Sequence, residues 1–349
     1  MNGSARFLVG SYTGEGSLGV LEGSLDLASG ALSLTGRVLE TENPSYLALA
    51  PDGQTAYAVN EVEAGTVTAF RLGVHGGEFT VLGTASSGGA DPCHLSLDPS
   101  GRFLLVANYS GGSVAVLPVL PGGAPGEPVC VVQHEGTGPH CERQNAPHPH
   151  GIWQDPGGRF VHVPDLGTDR VHTYRFDRET GALSPAGVNA TPLQPGAGPR
   201  HLAYHPSLPV AYLANELTRA VTVLDYDPLT GALTPRAALS TLPAAFTGEN
   251  TVAAVRVAAD GRNVYLSNRG HDSVAVLAAD AAGNLELVQV AASGGRTPRD
   301  ITLSPDGRWL LAAHQDSGGV TALPVGADGT LGQVAPRLGV VQPVCVLFV

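Results

Sequence analysis

Six copies of one turn-and-strand pattern about fifty residues apart, abundant Gly and Pro, and no apolar run of 3.6-residue period predict an all-β fold. The expected architecture is a seven-bladed β-propeller of four-stranded antiparallel blades. The copies are residues 51–61 (PDGQTAYAVNE), 99–109 (PSGRFLLVANY), 156–166 (PGGRFVHVPDL), 206–216 (PSLPVAYLANE), 259–269 (ADGRNVYLSNR) and 305–315 (PDGRWLLAAHQ), spaced 48, 57, 50, 53 and 46 residues apart. A truncated seventh opens the chain at residues 6–12 (RFLVGSY).

Each repeat reads as four strands. An apolar run behind a proline, as in residues 44–49 (PSYLAL), leads through the P-x-G turn into a second run. A third follows, such as residues 113–119 (SVAVLPV), and a tight turn such as residues 177–183 (DRETGAL) starts the fourth. Residues 343–349 (PVCVLFV) match a first strand, whereas the N-terminus begins at a second strand. The C-terminal strand should therefore complete the blade that the N-terminus starts, giving one propeller domain over 1–349. The stretch 121–146 is longer than its equivalents and reads as an insertion, either a lid or a mobile loop.

Composition narrows the partners. The 349 residues carry a net charge of −12, with 19 Arg and no Lys, which argues against nucleic acid or an anionic membrane. Any Arg cluster at a pocket is then a local exception that suits an anionic small ligand. Cys93, Cys130, Cys141 and Cys345 form no CxxC pair, so reduced thiols are expected. No leader pattern opens the sequence and no apolar run nears ~18 residues. A cytoplasmic monomer or weak homo-oligomer is the expectation.

Repeat register locates a site. In a meander, the start of each first strand and the end of each second strand surround the same opening. The first-strand positions are Ser45, Cys93, His150, Arg200, Ala253, Arg299 and Val344; the second-strand ends are Tyr12, Glu61, Tyr109, Leu166, Glu216, Arg269 and Gln315. Packing alone would make the blades interchangeable, yet His150, Arg200, Glu216, Arg269 and Arg299 are charged or titratable. His94, Asp165 and His201 lie one residue from these positions. Asn108, Asn215, Asn268 and Asp165 recur just before the second-strand end, where a short polar side chain caps a loop. In residues 142–150 (ERQNAPHPH), His150 is a register residue and His148 a rim residue; with no third His or Cys in register, no metal is expected.

The segments RQNAPHPHGIWQDPGGRFVHVPDLGTDRV, GPRHLAYHPSLPVAYLANEL and YLSNRGHDSVAV resemble the seven-bladed propeller lactonase family, and the similarity runs the whole chain. The family includes propeller-type 6-phosphogluconolactonases and fungal carboxymuconate lactonizing enzymes. The RQ-x-x-PHPH and DLGTDR signatures are nearer the bacterial phosphogluconolactonase-like branch. The resemblance implies catalytic roles for His150, Arg200, Glu216 and Arg269, and a substrate that is an anionic lactone, either sugar phosphate or carboxylate.

Hydrolysing a δ-lactone needs an activated water, a stabilised oxyanion and release of the ring alkoxide. Either His150 or Glu216 serves as base, an Arg faces the oxyanion, and Arg200, Arg269, Arg143 or Arg299 holds the anionic group. His148, Tyr109, His94 and Asp165 complete the expected substrate contacts, with no cofactor. No G-x-S-x-G elbow supports a serine nucleophile. The alternatives are a cycloisomerase acting on a carboxylated muconate, a metal-dependent lactonase using Glu61, Asp165 and Glu216, and a non-catalytic binding scaffold.

Overall fold

The computed structural model describes residues 3–14, 16–73 and 77–349, and among them are twenty-seven β-strands and no helix. The strands form seven antiparallel sheets, the blades of a seven-bladed propeller. Six sheets have four strands, as in Leu47–Leu49, Thr55–Asn60, Thr66–Arg71 and Thr80–Ser86. The sheet of Pro298–Leu303, Trp309–His314 and Val320–Pro324 has three. Its fourth segment survives as an isolated bridge, Val320 to Leu338, because Pro336 lacks the N–H that a ladder needs at that point.

Contacts divide the chain into two compact units, one comprising Met1–Val38, His201–Asp225 and Pro235–Val349, the other Leu39–Arg200 and Tyr226–Thr234. In the first, Val9, Leu25, Leu311 and Val346 pack in one cluster and Tyr212, Val223, Val255 and Leu266 in another. In the second, the clusters centre on Val59, Leu95 and Val106, and on Leu105, Ile152 and Val163. Every residue of Thr55–Asn60, Phe103–Asn108, Phe160–Asp165 and Val210–Asn215 is buried. Both faces of these second strands are covered, so their sequences run apolar continuously instead of alternating. The outer strand Leu32–Glu40 is mostly exposed.

Closure follows the expected route. Pro343–Phe348 pairs antiparallel with Ser4–Ser11, setting Phe7 opposite Phe348 and Val9 opposite Val346, with a bulge at Gly10/Ser11. The stretch 121–146 differs from expectation. Its Cys130–Gln133 is the ordinary fourth strand, paired with Ser113–Pro118. Beyond it, Gln144 is fully buried, and its Nε2 donates to the Leu166 carbonyl (2.8 Å) and to Asp169 Oδ1 (2.6 Å). The buried amide ties this end of the stretch to the neighbouring loop.

One repeat position ties neighbouring blades. Tyr57, Tyr212 and Tyr265 occupy the same place in their second strands, and each hydroxyl donates to a glycine carbonyl of the next blade: Gly123 at 2.9 Å, Gly283 at 3.1 Å and Gly329 at 2.9 Å. Burial pushes each phenol up to about 12, so all three remain donors. His162 takes the place in its blade, with Nε2 2.7 Å from the Gly231 carbonyl. Since that oxygen only accepts, Nε2 carries the proton. Burial holds the ring down at about 4. The unfolded chain binds a proton near pH 6.5 that the folded protein refuses until about pH 4. Stability should therefore be full above pH ~6.5 and fall by about 3 kcal/mol as pH drops to ~4. In His162→Tyr, urea titrations across that window should lose this component of the slope; an unchanged slope would assign the acid sensitivity elsewhere.

Candidate active site

The site positions are set by backbone. Asn43, Asp91, Thr297 and Gln342 have φ of 41°, 50°, 58° and 41°, and each directly precedes a strand-opening proline; Gly198, at 61°, does the same before Pro199. Left-handed backbone on a non-glycine residue costs on the order of 1 kcal/mol or more, and a following proline adds a steric restriction. The carbonyls return something for it. The N–H of Glu61 donates to Asn43 O, Tyr109 to Asp91 O, Gln315 to Thr297 O and Tyr12 to Gln342 O, at 2.9–3.1 Å. Leu166 makes the same bond to His148 O. In each of these blades the first-strand start is thus fastened to the second-strand end, as register predicts.

Within Leu39–Arg200 this fastening assembles an aromatic and thiol cluster. His150 is 5% exposed, its Nδ1 lies 3.6 Å from Cys93 Sγ, and Tyr109 meets it edge-on at 5.2 Å. His148 stacks on the other side of Tyr109 at 4.4 Å, with its Nδ1 donating to the Tyr109 carbonyl (3.0 Å). Arg143 Nη2 donates to the Tyr109 hydroxyl at 3.4 Å. Arg200 is 2% exposed, in the strand Pro199–Tyr204.

Two expected substrate contacts are placed otherwise. His94 is buried between the rings of Tyr46 and Trp153, each 4.2 Å away, and its Nδ1 accepts the Ile152 N–H at 3.3 Å. It is a packing residue. Asp165 is fully buried and accepts the N–H groups of His148, Gly167 and Thr168 on Oδ1, while Oδ2 stands 2.7 Å from His134 Nδ1. Its carboxylate holds the loop that carries His148 and His150. Asn108, Asn215 and Asn268 also bond within their blades, to Ser113, Thr222 and Ser273 respectively.

In the other unit, Glu216 and Arg269 form a buried ion pair, Oε2 to Nη2 at 2.7 Å, with side chains 2% and 13% exposed. Arg269 also donates to the Val252 carbonyl at 3.3 Å, which fixes the guanidinium plane. Beside it lies a polar cavity of about 390 Å³ lined by Arg269, Arg299, Asn250, Thr251 and Gln315 and also by Glu249 and Asp316. Arg299 lies 5.5 Å over the Tyr12 ring, an arrangement that orders a guanidinium without neutralising it. A cavity of about 470 Å³ elsewhere is lined by turn residues whose arginines pair locally, Arg262 with Asp260 and Arg308 with Asp306.

Sequence reasoning missed one cluster. His134, Asp165 and His172 are brought together, with His134 Nε2 3.0 Å from the Tyr174 hydroxyl and His172 Nε2 3.8 Å from Asp165 Oδ2. Burial raises the Asp165 carboxyl, but the His134 contact and backbone N–H bonds outweigh it and leave it below the usual range. Burial, then the His134 charge, pushes His172 down to about 4. The imidazole centroids are only 3.9 Å apart, whereas two imidazoles on one tetrahedral zinc stand about 5 Å apart. The arrangement shares a proton and does not fit a zinc ion. His134 and His172 lie outside the register positions, so no periodic signal marks them.

A family model described as the seven-bladed β-propeller lactonase matches residues 6–348. The chain belongs to that family. This lactonase-family propeller is 36% identical over 343 residues to the 6-phosphogluconolactonase of Bacillus subtilis, covering 97% of each chain. It superposes on a periplasmic gluconolactonase of Pseudomonas aeruginosa with a TM-score of 0.95 at 33% identity, over 99% of both chains. A Lactobacillus plantarum protein gives 0.93 at 32%, over 99% of this chain and all of the other.

Proposed function

We propose that this propeller hydrolyses 6-phospho-glucono-δ-lactone to 6-phosphogluconate. What carries the choice of a phosphorylated substrate is the 36% identity, over 97% of each chain, to the 6-phosphogluconolactonase of Bacillus subtilis. Arg269, oriented by Glu216 and a carbonyl, and Arg299, over Tyr12, line one cavity together with Glu249 and Asp316. Guanidinium groups pre-oriented in this way suit a phosphate. His150 takes the proton of the attacking water. The new C–O bond forms at the lactone carbonyl, Arg200 offsets the oxyanion charge, and the ring C–O bond breaks as the alkoxide is protonated. Glu216 orients Arg269. Of the three carboxylates considered as metal ligands, two are engaged elsewhere, Asp165 by N–H donors and Glu216 by Arg269. None of the four cysteines is in a disulfide, which suits a reducing cytoplasm.

The test is turnover of freshly prepared 6-phosphogluconolactone, gluconolactone and a muconolactone, each corrected for spontaneous hydrolysis. Arg299→Gln should raise KM for the phosphorylated lactone about tenfold or more and leave unphosphorylated gluconolactone nearly unchanged. Equal effects on both would remove Arg299 from phosphate recognition. Faster turnover of muconolactone would favour the cycloisomerase-like reading, and no turnover of any lactone would favour a binding scaffold.

A further inference from the structure

Cys93 occupies the same register slot in its blade as His150 does in the next, and both are 5% exposed. Its Sγ lies 3.7 Å from the Pro149 carbonyl oxygen and 3.6 Å from His150 Nδ1, both within the longer reach of sulfur. The carbonyl only accepts, so both contacts are hydrogen bonds at once when the single thiol proton is directed to Pro149. With that proton committed, the contact to Nδ1 is satisfied when the imidazole N–H donates to a sulfur lone pair. The ring then carries its proton on Nδ1, and Nε2 holds the basic lone pair.

We propose that Cys93 is a positioning residue that selects the Nδ1–H tautomer of His150 and so presents Nε2 to the attacking water; this rests on the reading of His150 as base. Cys93 faces the ring from Pro92–Leu97, and Tyr109 faces it from the end of Phe103–Asn108. His148 and Arg143 stand behind Tyr109 and hold it in place. The thiol supplies what the aromatic edge cannot, an acceptor for Nδ1–H. Its own carbonyl partner is the residue immediately before His150, so sulfur, carbonyl and imidazole move as one piece. Proton transfer from water to Nε2 gives an imidazolium whose Nδ1–H still points at sulfur, and return of the Nε2 proton to the leaving alkoxide restores the starting state.

Two readouts test this. Nitrogen-15 NMR of the imidazoles should show His150 as the Nδ1–H tautomer in the wild type, with the signal moving toward Nε2–H in Cys93→Ala. In lactone turnover, Cys93→Ala should lower kcat about tenfold or more with KM little changed, and shift the acidic limb of the kcat–pH profile. Cys93→Ser, whose hydroxyl both donates to Pro149 and accepts from Nδ1, should recover most of the rate. Cys93→Ala with wild-type kcat beside an inactive His150→Ala would overturn the proposal, as would an Nε2–H tautomer in the wild type. Rapid alkylation of Cys93 near pH 6 would overturn it too, by showing a thiolate–imidazolium pair. If His150→Ala retains full activity, the base assignment fails; the NMR result still decides the tautomer on its own.

Discussion

A chain ending at Gln342 should show no cooperative melt where the full-length protein is folded. The strand that would be lost buries Val344, Cys345 and Val346 to 2% exposure and sets the Phe348 ring edge-on to Phe7 at 6.0 Å. Full burial of such side chains contributes about 1.5–3 kcal/mol each, and a domain's whole margin is about 5–15 kcal/mol. The loss does not stop there. Val346 N–H donates to Asp300 Oδ2 at 3.0 Å, and Asp300, 1% exposed, also pairs with Arg256 at 2.8 Å. Truncation strips a buried carboxylate of a donor and leaves Ser4–Ser11 as an open sheet edge. Thermal melts followed by circular dichroism provide the check. A truncated protein melting within a few degrees of the full chain would show that closure is dispensable.

Glu216→Ala should both destabilise and inactivate. It leaves the Arg269 guanidinium in a buried setting without its carboxylate, at a cost of about 3–5 kcal/mol. Arg269→Ala removes the 2.7 Å ion pair from the Glu216 side and should also destabilise. Lactone turnover should fall at least about a hundredfold in either variant, because the arginine loses its fixed orientation or is gone. The double variant Glu216→Leu/Arg269→Met separates the two effects: stability should recover toward the wild type, since an apolar pair replaces an ion pair at little cost, while turnover should not. Recovery of both would make the pair structural only. Wild-type melting of the single variants would mean that the ion pair does not stabilise the fold.

The blades were legible because their second strands are covered on both faces, and the resulting apolar runs repeat behind a P-x-G turn. Closure was legible from a terminal segment matching a first strand. The missing fourth strand beside Val320–Pro324 was not, since the fourth strands Leu183–Pro192 and Leu233–Ser240 also contain prolines and Pro336 therefore gave no distinguishing mark. Register brought His150, Cys93 and Tyr109 together, and put Arg269 and Arg299 on one cavity. His94 and Asp165, each one residue from a register position, are engaged within the fold, His94 by Tyr46 and Trp153 and Asp165 by His134. Spacing counts residues and does not register that Cys130–Gln133, within residues 121–146, pairs as a normal fourth strand, with the extra length lying between it and Trp153.

The left-handed residues ahead of the strand-opening prolines turn five positions, Ser45, Cys93, Arg200, Arg299 and Val344, into standardised mounts. At four of these mounts, those of Ser45, Cys93, Arg299 and Val344, the carbonyl of the left-handed residue two places before accepts a backbone N–H at the end of the adjoining strand, so the anchorage ignores which side chain is mounted. Exchange of one side chain there rewrites local chemistry without re-laying the chain. A descendant of this protein can therefore change the lactone it accepts by single substitutions at these positions, whereas replacing Asn43, Asp91, Thr297 or Gln342 with a β-branched residue such as isoleucine disturbs the mount itself.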